Sequence, residues 1–198
     1  MANTFPNYPA EIRASTEHPG LRYVRVPHYF TTYGHPPRGI TTVAALSGTE
    51  GEIVICRGDA AEMVRTAEVL ETAPAYALAP TGPLSAPSGR VFIRFEDSVD
   101  VAARMEEITR ADYIVVKRVP QAPNAAWLAA TSRRVADALE GIGRLERIPN
   151  MANVEPQMLS ERVHRPGGGR GPAAPPGRRP PAAPPGRRPP AAPPRRRP

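Results

Sequence analysis

The sequence predicts an α+β fold built on antiparallel sheet. Three observations lead there: short apolar runs at strand spacing, amphipathic stretches of helical period between them, and connections punctuated by proline and glycine. At 198 residues the chain can hold one or two domains with a buried core.

The elements are expected in this order. Residues 1–19 hold Pro6, Pro9 and Pro19 without a clear period and read as an irregular lead-in. Leu21 to Val26 alternates apolar and basic residues, the pattern of a half-buried strand, and Pro27 limits its extension. His28 to Gly39, with two His, two Pro and two Gly, reads as a loop. Thr41–Leu46 and Glu52–Cys56 read as strands joined by a turn. Asp59 followed by Glu62 resembles a capping box, and Met63, Val64, Ala67 and Leu70 continue at helical spacing, so 60–71 is expected as a helix. A short strand at Ala75–Leu78 closes a small α+β unit over 20–80, and 81–89 is expected as a linker.

Residues 90–160 carry the clearest pattern. Arg90–Phe95 is a strand, and Glu96-Asp97-Ser98 offers a cap for a helix with Val101, Met105 and Ile108 on one face. Tyr113–Lys117 is a second strand, Pro120–Asn124 a turn, and Ala126–Ala130 a third strand. Ser132 is placed to cap a second helix carrying Val135, Ala138, Leu139 and Ile142, and Met151–Glu155 is a last strand. The order β-α-β-β-α-β is that of a ferredoxin-like unit, an antiparallel four-stranded sheet with two helices on one face.

From residue 161 the composition changes, and 161–198 is expected to be disordered. The stretch 166–198 has 13 Pro and eight Arg and no acidic residue. Those eight arginines account for the whole formal charge of +7, leaving residues 1–165 at −1. The block Pro172–Pro180 recurs at Pro181–Pro189 and, with Arg195 replacing Gly, at Pro190–Pro198. Nothing in it can bury a core, so it is expected to be extended and solvated. Arg178, Arg179, Arg187, Arg188, Arg195, Arg196 and Arg197 could contact a polyanion in a salt-sensitive way, although no aromatic is interleaved for base stacking. Arg-flanked Pro runs also resemble ligands of proline-recognition grooves. The plain alternative is a flexible basic segment.

Few catalytic arrangements are legible. The single Cys56 sits inside an apolar run and is expected to be a buried strand residue. His28 and His35 share one segment without a convincing third metal ligand, and His18 and His164 are isolated. Phosphate loops, nucleophile elbows and dinucleotide fingerprints are not found. Glu106 and Glu107 beside Arg104 and Arg110 read as a solvated charged face. Trp127 is expected as a core anchor, with contact on a partner-facing sheet as the alternative. No cofactor or metal is expected. There is no signal-like N-terminus and no apolar run of membrane length, so the default is a cytoplasmic protein without a membrane span, with secretion left open.

Two stretches carry a family resemblance. One is Arg90-Val91-Phe92-Ile93-Arg94-Phe95 with its acidic turn and helix. The other is Ile142-Gly143-Arg144-Leu145-Glu146-Arg147-Ile148-Pro149-Asn150-Met151-Ala152-Asn153-Val154-Glu155-Pro156-Gln157. Together they resemble the prodomain region of bacterial subtilisin-like serine peptidases, in which a helix leads into an "I/L-P-G-V-x-x-V-E-P" strand. Here Asn150 stands where Gly is usual and Met151 where Val is usual; Asn also tolerates a left-handed turn. Ala73–Ala77 is similar to the upstream part of long members, and the likeness covers residues ~70–160. The resemblance implies a module that docks its sheet on two helices of the catalytic domain, acts as chaperone and inhibitor, and places its C-terminal strand in the substrate cleft. Val154, Glu155, Pro156, Gln157, Met158 and Leu159 would be the cleft contact. The triad motifs of the catalytic domain do not occur in this sequence. The expectation is therefore a non-catalytic partner acting in trans on a separate subtilisin-like peptidase. The alternatives are an interaction protein working through its tail, and a truncated remnant of a subtilase.

Overall fold

The computed structural model describes residues 4–36, 39–48, 51–60 and 71–161. Among them nine strands form one antiparallel sheet: β1 (Glu11–Arg13), β2 (Arg22–Tyr33), β3 (Thr41–Gly48), β4 (Gly51–Arg57), β5 (Thr72–Leu78), β6 (Leu84–Phe95), β7 (Tyr113–Val119), β8 (Ala122–Ala130) and β9 (Met151–Ser160). The main path runs β3-β4-β2-β5-β6-β8-β7, with β1 beside β2 and β9 beside β6. The class is sheet-rich α+β. The expected helix at 60–71 and the tail from 162 onward lie outside the described residues, apart from Ala60 and Glu71.

Strand β6 organises the sheet. Its first residues, Leu84 and Ser85, pair with Ala77 and Tyr76 of β5. Its later residues Arg90–Arg94 pair with Ala129–Ala125 of β8. On its other side β9 runs nearly the whole length, from Ser85↔Ser160 to Phe95↔Met151. The expected linker at 81–89 is therefore corrected: from Leu84 onward it is strand, and the described residues belong to one compact unit rather than to two units joined by a linker.

The prolines that suggested breaks lie at interruptions of the ladders, where a missing N–H costs nothing. Pro27 lies within the register shift between Arg25 and Phe30, next to His28 at φ 62°, so β2 continues to Tyr33 through the expected loop. Pro87 begins the irregular stretch of β6 that ends at Val91, the partner of Pro156 in β9. The outer backbone groups of β9 at Val154 bond instead to Thr16: the Val154 carbonyl accepts from the Thr16 N–H at 3.2 Å, and the Val154 N–H donates to Thr16 Oγ1 at 3.2 Å. Pro156, two residues on, has the same parity, so its absent donor faces outward. The turn before β8 is also shorter than expected, since that strand starts at Ala122.

Among the described residues two crossovers carry complete helices. After β6 comes a 3-10 turn, Val101–Arg104, then α1 (Met105–Arg110). The cap is Asp100, whose carboxylate accepts from the Ala102 N–H at 2.7 Å, and not the Glu96-Asp97-Ser98 stretch. The tighter first turn changes the phase: Val101 and Ile108 are buried, whereas Met105 is 36% exposed. After β8 come α2 (Val135–Glu140) and α3 (Ile142–Leu145), with Val135, Ala138, Leu139 and Ile142 buried as expected. Ser132 does not cap in the simple sense. Its hydroxyl accepts from the Arg134 N–H and donates to Asp137, while the Val135 N–H is capped by the carboxylate of Glu71, at 3.0 Å.

The largest core cluster joins Val91, Ile93, Phe95, Tyr113, Leu128 and Val154 of the sheet to Val101, Ile108, Leu139 and Leu145 of the helical segments. Tyr8, Ile12 and Tyr76 belong to the same cluster, which is why the chain does not divide near residue 80. Leu46, Ile53, Ile55, Ala75 and Ala86 form a further cluster, with Leu84 and Leu159 packed against it. Cys56 is fully buried beside Phe30 and Val54, and burial pushes its thiol pKa up.

Candidate binding face

Side chains alternate across a strand, so the helices take one face of β6 and β8 and leave the other. Val91, Ile93, Phe95, Ala126, Leu128 and Ala130 are buried in the core cluster. Arg90, Phe92, Arg94 and Trp127 lie on the opposite face, half-buried and outside every buried cluster.

Register aligns four strands here. Phe92 faces Trp127 on β8 and Glu155 on β9, and Trp127 faces Lys117 on β7. A single row therefore crosses the sheet in the order Glu155, Phe92, Trp127, Lys117. A bulge between Val115 and Lys117 brings the lysine to the tryptophan's side. The two rings meet at a centroid distance of 5.2 Å and an interplanar angle of 57°. Glu155 and Lys117 at the ends are exposed. The flanking rows pair Arg90 with Ala129 and Arg94 with Ala125, so each arginine has a small residue beside it. Arg94 is ion-paired with Glu17. Tyr23 has its pKa raised by burial first and by the charge of Glu155 second.

Trp127 thus takes the second of its two expected places, on the open sheet rather than in the core. Phe92 and Lys117 were not singled out from sequence. The alternation of Arg90–Phe95 signals Phe92, but only long-range register brings Lys117 into line.

All six residues from Val154 to Leu159 lie in β9, hydrogen-bonded to β6 as a ladder. Val154 and Pro156 are buried, Glu155 is exposed, Gln157 accepts from the Ser88 hydroxyl at 2.6 Å, and Met158 and Leu159 are half-buried. Among the described residues β6 is the only ladder partner of β9. The seven tail arginines lie outside the described residues.

A cavity of about 390 Å³ opens where the β6 irregularity meets the start of α2. Tyr33, Glu52, Glu71, Ser88, Arg90 and Arg133 line it together with Gly34, Gly51, Ile53 and Val135. Arg133 is held at φ 63°. Its acidic and basic groups are balanced, and the Glu71 carboxylate is engaged by the Val135 N–H.

His18, His28 and His35 are exposed, with His35 Nδ1 3.4 Å from Glu52. Glu107 pairs with Arg104 at 3.1 Å and Glu106 with Arg110 at 2.7 Å. Among the described residues no three His, Cys, Asp or Glu gather as a metal site requires, and no helix is long and apolar enough to cross a membrane. No protein-family model, curated protein or solved structure matches the chain.

Proposed function

We infer that this chain is a non-catalytic, prodomain-like module that chaperones or inhibits a subtilisin-like serine peptidase in trans. The observation that carries the reading is the one-sided sheet. Strands β9-β6-β8-β7 lie antiparallel in that order, with both helical crossovers packed into the core on one face and an aromatic pair half-exposed on the other. The order of strands and helices supports reading this part as a ferredoxin-like βαββαβ unit with one sheet face left for a partner. Two further points agree with it. Asn150 stands at φ 64°, the left-handed conformation for which glycine is usual in the resembling motif. Strand β9 follows directly, so Val154–Leu159 have the extended backbone that strand addition in a peptidase cleft requires.

In this reading Phe92 and Trp127 supply the apolar centre of the docking face, with Glu155 and Lys117 at its rim. The cleft contact comes from Glu155, Gln157, Met158 and Leu159 of β9, since Val154 and Pro156 are buried. The test is inhibition of a bacterial subtilisin by the purified full chain, followed with a small chromogenic substrate. Saturable inhibition is expected. Trp127→Ala should weaken it by roughly tenfold or more, as loss of a central aromatic anchor does. A folded chain that leaves the peptidase unaffected at high micromolar concentration sinks the reading.

A further inference from the structure

We propose that the open face of β9-β6-β8-β7 binds a second copy of this chain, forming a twofold dimer. The argument stands on strand register and charge, not on the peptidase reading. Two identical sheets meeting face to face have a twofold axis in the plane of contact. If that axis runs along the strands between β6 and β8, left and right exchange and the rows stay level. Glu155 of each copy then lies over Lys117 of the other, and Phe92 over Trp127. The neighbouring rows fit in the same operation: Arg90 falls over the other copy's Ala129, and Arg94 over its Ala125. Bulky residues meet small ones, and no like charges meet.

The other in-plane twofold, running along the row, lays Glu155 on Glu155, Lys117 on Lys117 and Arg90 on Arg94. Charge therefore selects one geometry of the two. Neighbouring strands are about 4.8 Å apart, so Glu155 and Lys117 of one copy are separated by roughly 14 Å and cannot satisfy each other. A second copy satisfies both. A four-stranded face of this kind falls at the small end of specific interfaces, so the association is weak. It uses the surface assigned above to peptidase docking, and dimer and peptidase complex would exclude each other.

The test is sedimentation velocity of the full chain over a concentration series reaching the hundreds of micromolar, with circular dichroism confirming the fold of each variant. The wild type is expected to dimerise reversibly. Glu155→Lys and Lys117→Glu should each weaken the dimer by about tenfold or more, because each sets like charges face to face twice. The double reversal should restore it. A chain that stays monomeric throughout overturns the proposal, and so does a dimer indifferent to the reversals or a double variant as weak as the singles. Should a reversal unfold the chain, the Glu155→Cys, Lys117→Cys pair reads the same geometry. Facing sheets lie about 10 Å apart, too far for a direct disulfide, so the pair is treated with a short thiol-to-thiol crosslinker reaching about 5 Å. Within one copy the thiols are roughly 14 Å apart and beyond its reach, so a covalent dimer is expected, and its absence refutes the contact. Peptidase inhibition assayed at nanomolar chain, where the monomer dominates, can fail or succeed independently.

Discussion

Adding one methyl group at Gly141 should destabilise the fold, although the same change usually stabilises a helix. Gly141 joins α2 to α3 at φ −74° and ψ −10°, a conformation alanine accepts freely. By propensity alone Gly141→Ala would gain up to about 1 kcal/mol. An added Cβ, however, would stand 2.5 Å from Tyr113 Oη, 2.8 Å from Tyr113 Cε2 and 2.9 Å from Arg144 Nη2. The arginine can swing away. The tyrosine cannot: it is fully buried, and its hydroxyl donates to the Ala138 carbonyl at 2.6 Å. Overpacking of this kind costs about 1–3 kcal/mol, so the net loss should be about 1–2 kcal/mol. In a folded unit of this size that lowers Tm by roughly 2–8 °C. Gly143 is the internal control. It lies in α3 with nothing within 4 Å of an added Cβ, and Gly143→Ala should raise stability by about 0.5–1 kcal/mol. Urea and thermal unfolding of both variants decide the matter. If Gly141→Ala is as stable as the wild type, the rigidity assigned to the Tyr113 ring is wrong.

Three other outcomes are expected. Asn150 combines φ 64° with side-chain bonds to Glu96 and Arg104 at 3.0 and 2.9 Å, so Asn150→Ala should cost about 1–2 kcal/mol and Asn150→Gly less, as read from denaturant midpoints. Removing the Glu71 carboxylate as Glu71→Ala leaves the Val135 N–H uncapped and should cost about 1 kcal/mol; an unchanged urea midpoint would show that water replaces it. Tyr76 donates to the Pro9 carbonyl at 2.8 Å, and burial pushes its pKa up to about 12 against an ordinary 10, with Arg25 opposing. Its folded pKa is the higher one, so its contribution is complete below pH 10 and is lost as pH rises from 10 towards 12. The amount is about 2–3 kcal/mol, measurable by urea unfolding across that range with tyrosinate absorbance alongside.

Local periodicity made much of the sheet legible. The alternation in Arg90–Phe95, that in Leu21–Val26 from Arg22 on, and the apolar runs at Ile53–Cys56 and Tyr113–Val116 all fall in strands. The errors came from reading proline as an end. Pro27 and Pro87 interrupt ladders without terminating strands, so β2 and β6 run to 12 residues each. A proline's neighbours in sequence do not reveal whether its missing N–H would have had a partner. The Glu71 cap on α2 was out of reach for a related reason, because it joins residues 64 positions apart. The same holds for the open face: Trp127 is conspicuous alone, but its row with Phe92, Lys117 and Glu155 exists only after four strands have found their register. The phase of the helix after β6 was obscured by its 3-10 start, which moved Met105 off the buried side.

The position of β6 between β5 and β8 on one side and β9 on the other has a consequence for how the molecule opens. Neither β5, β8 nor β9 can leave it without exposing amides within Leu84–Phe95, so this stretch should be among the last to exchange its hydrogens. The strands that pair with it directly, β5, β8 and β9, would then unfold in one transition. Chain cuts report the same coupling. Fragments divided at residue 89 leave β9 residues Met158–Ser160 without partners, and each should remain unstructured until mixed with the other.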